Sequence, residues 1–271
     1  MSSLVTVACA QLDPVLGDRD ANLAALDGAI AAAVERGADL VVAPELCLSG
    51  YVFESREEAY AHGESPDALV ELARAHEVHL VAGFAERDGV RLYNSAAICA
   101  PDGLLGVYRK LHLWGEEALW FEPGDLGLPV FATPFGRIAA MVCYDGWFAE
   151  LWRMAALGGA DLVCVPTNWV PIPGQAEGQA AMANTLCMAA AHSNGLWVAA
   201  ADRVGEERGQ PFIGQSLIVA PTGWPVAGPA SEDAVETLVA QIDLSAARRS
   251  RTFNTFNHLL RDRRTDAYDL R

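Results

Sequence analysis

The segment Gly37-Ala38-Asp39-Leu40-Val41-Val42-Ala43-Pro44 returns later in the chain as Gly159-Ala160-Asp161-Leu162-Val163-Cys164-Val165-Pro166. Ala100-Pro101-Asp102-Gly103 is echoed in the same order by Ala220-Pro221-Thr222-Gly223. A restricted Ala/Gly/Val vocabulary also generates such echoes by chance. Here, however, each copy sits in a run of helix, strand, helix, strand and hairpin. Two similar half-units of that kind predict an α/β fold with two sheets packed face to face and helices outside.

Element by element, the apolar periodicity predicts strands at Leu4–Ala10, Asp39–Ala43, His79–Phe84, Leu92–Cys99 and Gly106–Arg109. In the second half it predicts strands at Arg137–Val142, Leu162–Val165, Leu196–Ala201, Gln215–Val219 and Val235–Ile242. Helices are expected over Asn22–Arg36, Glu57–His76, Ala149–Leu157 and Gly178–Ser193, with Gly37 closing the first as a C-cap. No linker interrupts the pattern, so residues 1–271 read as one domain.

Charge narrows the function. Asp and Glu total 35 against 19 Lys and Arg, a net charge of −16. Such a chain is repelled by nucleic acids and by anionic membrane surfaces. No apolar run approaches the roughly 20 residues that span a bilayer. The opening Met1–Ala10 has no basic leader before an apolar core, and the expected location is the cytoplasm. The six cysteines are scattered without a CxxC pair, which points to neither a zinc ribbon nor a disulfide scaffold. Most read as small buried hydrophobes.

Three residues do not fit a structural role. Lys110 is the only lysine beside 18 arginines. A chain that uses Arg for every other cation keeps one Lys for a task that needs a compact charge on a flexible stem. Glu45 follows a buried strand and a proline, at the carboxyl edge where α/β sheets gather their ligands. Cys143 stands where a strand runs into a turn, a position that fixes a nucleophile beside backbone N–H groups. A carboxylate base, a thiol and an ammonium together supply the parts of acyl transfer. His112 follows Lys110 closely enough to support it, and no histidine stands in a comparable setting.

Pro44–Tyr51 (PEL…SGY), Tyr108–Leu113 (YRKLHL), Phe121–Asp125 (FEPGD) and Cys143–Asp145 (CYD) come in this order along the chain. In these motifs the chain resembles the nitrilase, or carbon–nitrogen hydrolase, superfamily. The resemblance implies a Glu-Lys-Cys triad at Glu45, Lys110 and Cys143, and a second active-site glutamate best matched by Glu117, with Glu116 adjacent. It also implies a four-layer α-β-β-α sandwich, pairing into homodimers or higher homo-oligomers, and no cofactor or metal. The tail from about residue 245 is expected to pack on a partner subunit.

Tyr144-Asp145 resembles the amidase-like branches rather than true nitrilases, which carry Trp-Glu there. Those branches often continue with a residue and then Arg-Phe, whereas this chain has Gly146-Trp147-Phe148. A substrate carboxylate would lack that Arg. Tyr51, Trp114, Tyr144 and Trp169 are the expected pocket walls, and Asn168 is the nearest polar group. The resulting expectation is an amidase that converts small, weakly charged amides to carboxylate and ammonia. The alternatives are an N-carbamoyl amine or amino-acid amidohydrolase, a nitrilase, or a catalytically silent binding subunit.

Replacing Lys110 with Arg conserves charge but substitutes a planar fork for a point charge. The Lys110→Arg protein is expected to lose at least about a hundredfold in turnover, the scale of one lost oxyanion donor. Steady-state ammonia release measures it, and activity within about tenfold of wild type would make Lys110 a general charge only.

Overall fold

The computed structural model describes residues 3–174 and 179–268. Its first sheet holds β1 (Leu4–Gln11), β2 (Leu40–Val42), β3 (His79–Asp88), β4 (Arg91–Ala100), β5 (Gly103–Arg109) and β14 (Glu236–Asp243), in the order β14-β1-β2-β3-β4-β5. The second holds β6 (Val130–Thr133), β7 (Gly136–Ala140), β8 (Leu162–Pro166), β9 (Trp197–Ala201), β12 (Leu217–Val219) and β13 (Pro225–Ala227), in the order β13-β12-β9-β8-β7-β6. A short hairpin, β10 (Glu206–Glu207) with β11 (Gln210–Pro211), stands apart. The helices are α1 (Arg19–Glu35), α2 (Arg56–Ala61), α3 (Asp67–Ala75), α4 (Glu117–Trp120), α5 (Ala149–Leu157), α6 (Met182–Asn194) and α7 (Ser245–Ser250).

The echo of the sequence is an echo of hydrogen bonding. β1, β2 and β3 are parallel, as are β7, β8 and β9, and each trio continues into antiparallel neighbours. Asp39 exchanges backbone bonds with Thr6 and His79, and its carboxylate accepts from the Thr6 N–H at 2.8 Å. Asp161 does the same between Arg137 and Trp197, accepting from the Arg137 N–H at 3.0 Å. The Asp of each copy therefore stitches the start of the middle strand to its neighbour.

Strand pleating divides the side chains between two cores. Val5, Val7, Cys9, Leu40 and Val42 face the second sheet and pack with Ile138, Leu162 and Val198. The alternate residues Ala8, Ala10, Val41 and Ala43 face outward against Leu26 and Ile30 of α1 and Leu69 of α3. α5 and α6 cover the other side of the second sheet with Trp152, Ala155, Cys187 and Ala191. The result is four layers, α-β-β-α. Central strands buried on both faces explain the unbroken apolar runs.

The expected helix over Glu57–His76 is two helices. Gly63 and Pro66 interrupt it, and Glu64 instead bridges to Glu86 of β3. A proline lacks the N–H that a continuous helix would use and disfavours helical backbone before it. α1 starts earlier than the apolar pattern, where the Asp18 carboxylate caps the Ala21 N–H at 3.1 Å. The expected helix start at Gly178 lies outside the described residues. The short edge strands β6 and β13 have too little apolar alternation to stand out. The tail packs first on its own chain, burying Leu244 and Ala247 and pairing Arg248 with Asp161 at 2.8 Å. Among the described residues no helix is long and apolar enough to cross a membrane.

Gly83 in β3 lies under the turn after β2. A Cβ there would stand 2.4 Å from the Glu45 Cα. At Gly28, in α1, a Cβ would meet nothing within 4 Å. Gly28→Ala is therefore expected to stabilise the protein by up to about 1 kcal/mol through helix propensity. Gly83→Ala is expected to destabilise it by more than about 2 kcal/mol by forcing two backbones apart. Denaturant midpoints compared with wild type measure both.

Candidate active site

Lys110 directly follows β5, and its side chain is fully buried. Its ammonium donates to Glu45 Oε1 at 2.6 Å and to Glu117 Oε1 at 2.7 Å. Burial pushes the ammonium pKa down, but Glu117, Glu45 and Cys143 outweigh it and hold the group charged. The neighbours of Lys110 fix its stem. The Lys110 carbonyl accepts from the Gly124 N–H at 2.8 Å. A Cβ at Gly124 would fall 2.1 Å from the Arg109 carbonyl oxygen, so only glycine allows the approach. Arg109 points the other way, pairs with Asp125 at 2.9 Å and with Glu86, and stacks over Tyr93.

Glu45 leaves the carboxyl end of β2 by way of Pro44. Its Oε1 also accepts from Asn94 Nδ2 at 2.6 Å, while Oε2 has no hydrogen-bond partner among the described residues. Desolvation raises its carboxyl to about 7 against the opposing pull of Lys110, and the charge of Glu117 adds to the rise. Two carboxylates around one ammonium leave one surplus negative charge in a dry site, and the proton that answers it makes a base poised near neutrality. Glu117, at the start of α4, is also bound by the Tyr51 hydroxyl, which donates to Oε1 at 2.5 Å. Its Oε2 is likewise unpartnered among the described residues.

Cys143 opens a tight 3-10 turn, Cys143–Trp147, three residues past the end of β7. Its φ is +47°, left-handed backbone that a residue with a Cβ adopts at a cost of about 1–3 kcal/mol. Asp145 holds that turn. One carboxylate oxygen accepts from the Val142 N–H at 3.1 Å and the Tyr108 hydroxyl at 2.6 Å. The other accepts from the His112 N–H at 3.0 Å and lies 2.8 Å from its ring Nδ1. The thiol turn is thus tied to residues on both sides of Lys110. Desolvation and Glu45 push the thiol well above its ordinary range, whereas Lys110, the Thr167 hydroxyl and the Asn168 backbone N–H favour the thiolate. The thiol is held protonated until a base takes its proton.

A narrow pocket opens over Cys143, walled by Trp114, Tyr144, Trp147 and Trp169 with Val170 and Ile172. Asn168 supplies its polar side chain; the amide donates to the Glu45 carbonyl at 3.0 Å and leaves Oδ1 unpartnered among the described residues. No charged side chain among the described residues lines it. Trp114 is shared with a second cleft lined by Tyr51, Glu116 and Glu117.

Of the residues singled out from the sequence, Glu45, Lys110, Glu117 and Cys143 converge at one point. Trp114, Tyr144, Asn168 and Trp169 surround the pocket, whereas Tyr51 lies behind Glu117 and not in the wall. Glu116 faces the second cleft and makes no contact with Lys110 of the kind Glu117 makes. Sequence reasoning missed Asn94, Thr167 and the bracing role of Asp145. Asn94 had a signal, as the lone amide in the apolar run Leu92–Cys99. Thr167 had another, since it follows Pro166 in the echo as Glu45 follows Pro44.

The sequence profile described as carbon-nitrogen hydrolase matches residues 6–252. A nitrilase of Pyrococcus abyssi is 42% identical over 98% of this chain and 99% of its own. The crystal structure of a carbon-nitrogen hydrolase from Helicobacter pylori superposes with a TM-score of 0.89 at 29% identity, covering 98% of this chain and 97% of that one. A mutant of the amidase from Nesterenkonia sp. AN1, showing Michael addition of acrylamide at its active-site cysteine, matches with a TM-score of 0.80 at 30% identity over 97% of both chains.

The two carboxylates are expected to separate in two rates, alkylation of Cys143 by iodoacetamide and hydrolysis of amide. In wild type, alkylation should rise with pH through about 7, where Glu45 gives up its proton and becomes able to accept that of the thiol. Glu45→Gln should flatten that rise and abolish hydrolysis. Glu117→Gln should leave alkylation intact but turn over amides at least about a hundredfold more slowly. Normal hydrolysis in either variant overturns this division of labour.

Proposed function

We propose, from the premise that this chain belongs to the carbon–nitrogen hydrolase family, that it is an amidase for small neutral amides working through an acyl-Cys143 intermediate. Hydrolysis of carbon–nitrogen bonds follows from the family. The narrower reading is supported chiefly by one observation: the pocket over Cys143 is aromatic and apolar and, among the described residues, offers no cation. Trp147 lines it where the amidase-like branches often carry Arg. A carboxylate on the acyl group would enter a dry pocket unpaired, at a cost of several kcal/mol.

In the reaction, ionised Glu45 takes the Cys143 proton and the sulfur attacks the amide carbon. The carbonyl oxygen gathers the negative charge, which the Lys110 ammonium stabilises. The tetrahedral intermediate collapses as Glu45 returns the proton to nitrogen, and ammonia leaves. Water then enters, Glu45 removes one of its protons, and the resulting oxygen nucleophile attacks the thioester. Collapse releases the carboxylic acid, which ionises, and restores the thiol. Glu117 Oε2, with no hydrogen bond of its own, is suited to accept from the substrate NH2 and aim the carbonyl carbon at sulfur. We further propose that a partner subunit covers the groove along α5, where Met154, Leu157 and Tyr268 are exposed, so that the tail from about 245 contributes to pairing.

The test is a substrate panel scored by ammonia release, with intact-mass detection of the acyl-enzyme. Neutral short-chain amides should be hydrolysed at least about a hundredfold better, in kcat/KM, than amides carrying a carboxylate on the acyl chain. The adduct should appear in wild type and vanish in Cys143→Ala. Faster ammonia release from carbamoyl amines or from nitriles would replace the amide reading, and absence of any adduct would favour a silent binding subunit.

A further inference from the structure

Glu207 lies in β10, far along the chain from the candidate catalytic residues, and is buried. One oxygen of its carboxylate accepts from two successive backbone N–H groups, those of Tyr51 and Val52, each at 2.8 Å. The other pairs with Arg203, which is itself buried. Arg203 in turn donates to the Pro14 carbonyl at 2.8 Å and lies 4.1 Å over the Phe212 ring, which packs nearly perpendicular to Tyr51 with ring centres 6.0 Å apart. A buried ion pair is held here in a fixed orientation, and its second carboxylate oxygen grips the main chain at Tyr51.

That grip matters because of what Tyr51 does at its other end. Its hydroxyl donates to Glu117 Oε1 at 2.5 Å, the same oxygen that accepts from Lys110. The preceding Gly50 has φ +80°, and a Cβ there would stand 2.6 Å from the Leu16 Cα. The chain therefore turns sharply just before Tyr51. Two N–H groups in such a turn need an acceptor from elsewhere, and Glu207 supplies it.

We infer that Glu207 is a positioning residue for the reaction: it fixes the Tyr51 main chain, Tyr51 fixes Glu117, and Glu117 orients the substrate amide. The inference rests on the role of Glu117 proposed above. It gives the hairpin β10–β11 a task that nothing in its own surroundings demands, and it lets the second half of the chain set geometry in the first. Removing charge from Glu207 leaves Cys143, Glu45 and Lys110 untouched. The effect should therefore fall on orientation of substrate and not on reactivity of the thiol.

The variant to use is Glu207→Gln, which keeps the volume. An amide has one carbonyl oxygen, so it cannot serve Arg203 and the two N–H groups together. Its kcat/KM for a neutral amide is expected to fall about tenfold while iodoacetamide alkylation of Cys143 stays within about twofold of wild type. In a Tyr51→Phe background the same substitution should change kcat/KM by less than about twofold, since the link it acts through is already cut. Multiplying losses in the double variant, or a parallel loss of alkylation, overturns the inference. A further readout needs no variant: in wild type the Tyr51 and Val52 amides should be strongly protected from hydrogen exchange, and free exchange at both overturns the grip. Normal amide turnover in Glu117→Gln overturns the underlying role of Glu117, whatever Glu207 does.

Discussion

A single ammonium, sealed from water between two carboxylates, organises this molecule. Lys110 reaches Glu45 at 2.6 Å and Glu117 at 2.7 Å with none of its side chain exposed. Burial of an ion is costly unless its partners are near and well oriented. The turn after β2 must therefore place Glu45, β5 must deliver Lys110, and α4 must begin at Glu117, all at one spot. Gly83 and Gly124 remove the two Cβ atoms that would keep these backbones apart. Burial, with the charge of Glu117 adding to it against the pull of Lys110, raises the Glu45 carboxyl to about 7.

The repeat explains where this spot lies. The two copies of the middle strand, β2 and β8, end side by side in opposite sheets, and the Glu45 N–H approaches the Thr167 carbonyl at 3.4 Å. Each half contributes the residues just past its proline: Glu45 from one, Thr167 and Asn168 from the other. Both halves also hold left-handed backbone here, at Leu46 next to Glu45 and at Cys143. Strain of this kind persists only where surrounding contacts over-determine it, and Asp145 with its four contacts does so for the thiol turn.

Much of this was legible in the residues alone. Long apolar runs marked the central strands, because strands buried on both faces have no polar alternation to blur them. Ala149–Leu157 was readable as a helix to its ends, since helical spacing and burial agree there. The break between α2 and α3 was not, because Gly63 and Pro66 sit within a stretch whose charge and apolar spacing look helical throughout. Glu45, Lys110 and Cys143 could be singled out from residue type and position, and the structure brings them together. Long-range partners were not: nothing near Asn94 in sequence points to Glu45, and nothing near Glu207 points to Tyr51. Tyr51, expected in the wall over Cys143, lines the adjoining cleft instead with its hydroxyl on Glu117, a partner that nothing near it in sequence points to.

The pairing of β1 with β14 has a consequence for how the protein comes into being. β1 lies between β2 and β14, antiparallel to a strand that ends at Asp243. During synthesis the first sheet thus waits, with one edge open, until Glu236–Asp243 has left the ribosome. The second half must be made before Thr167, Asn168 and Cys143 exist to meet Glu45. A nascent chain that stops short of Asn168 therefore lacks residues the candidate site gathers, and β14, which closes the first sheet, follows only at Glu236–Asp243.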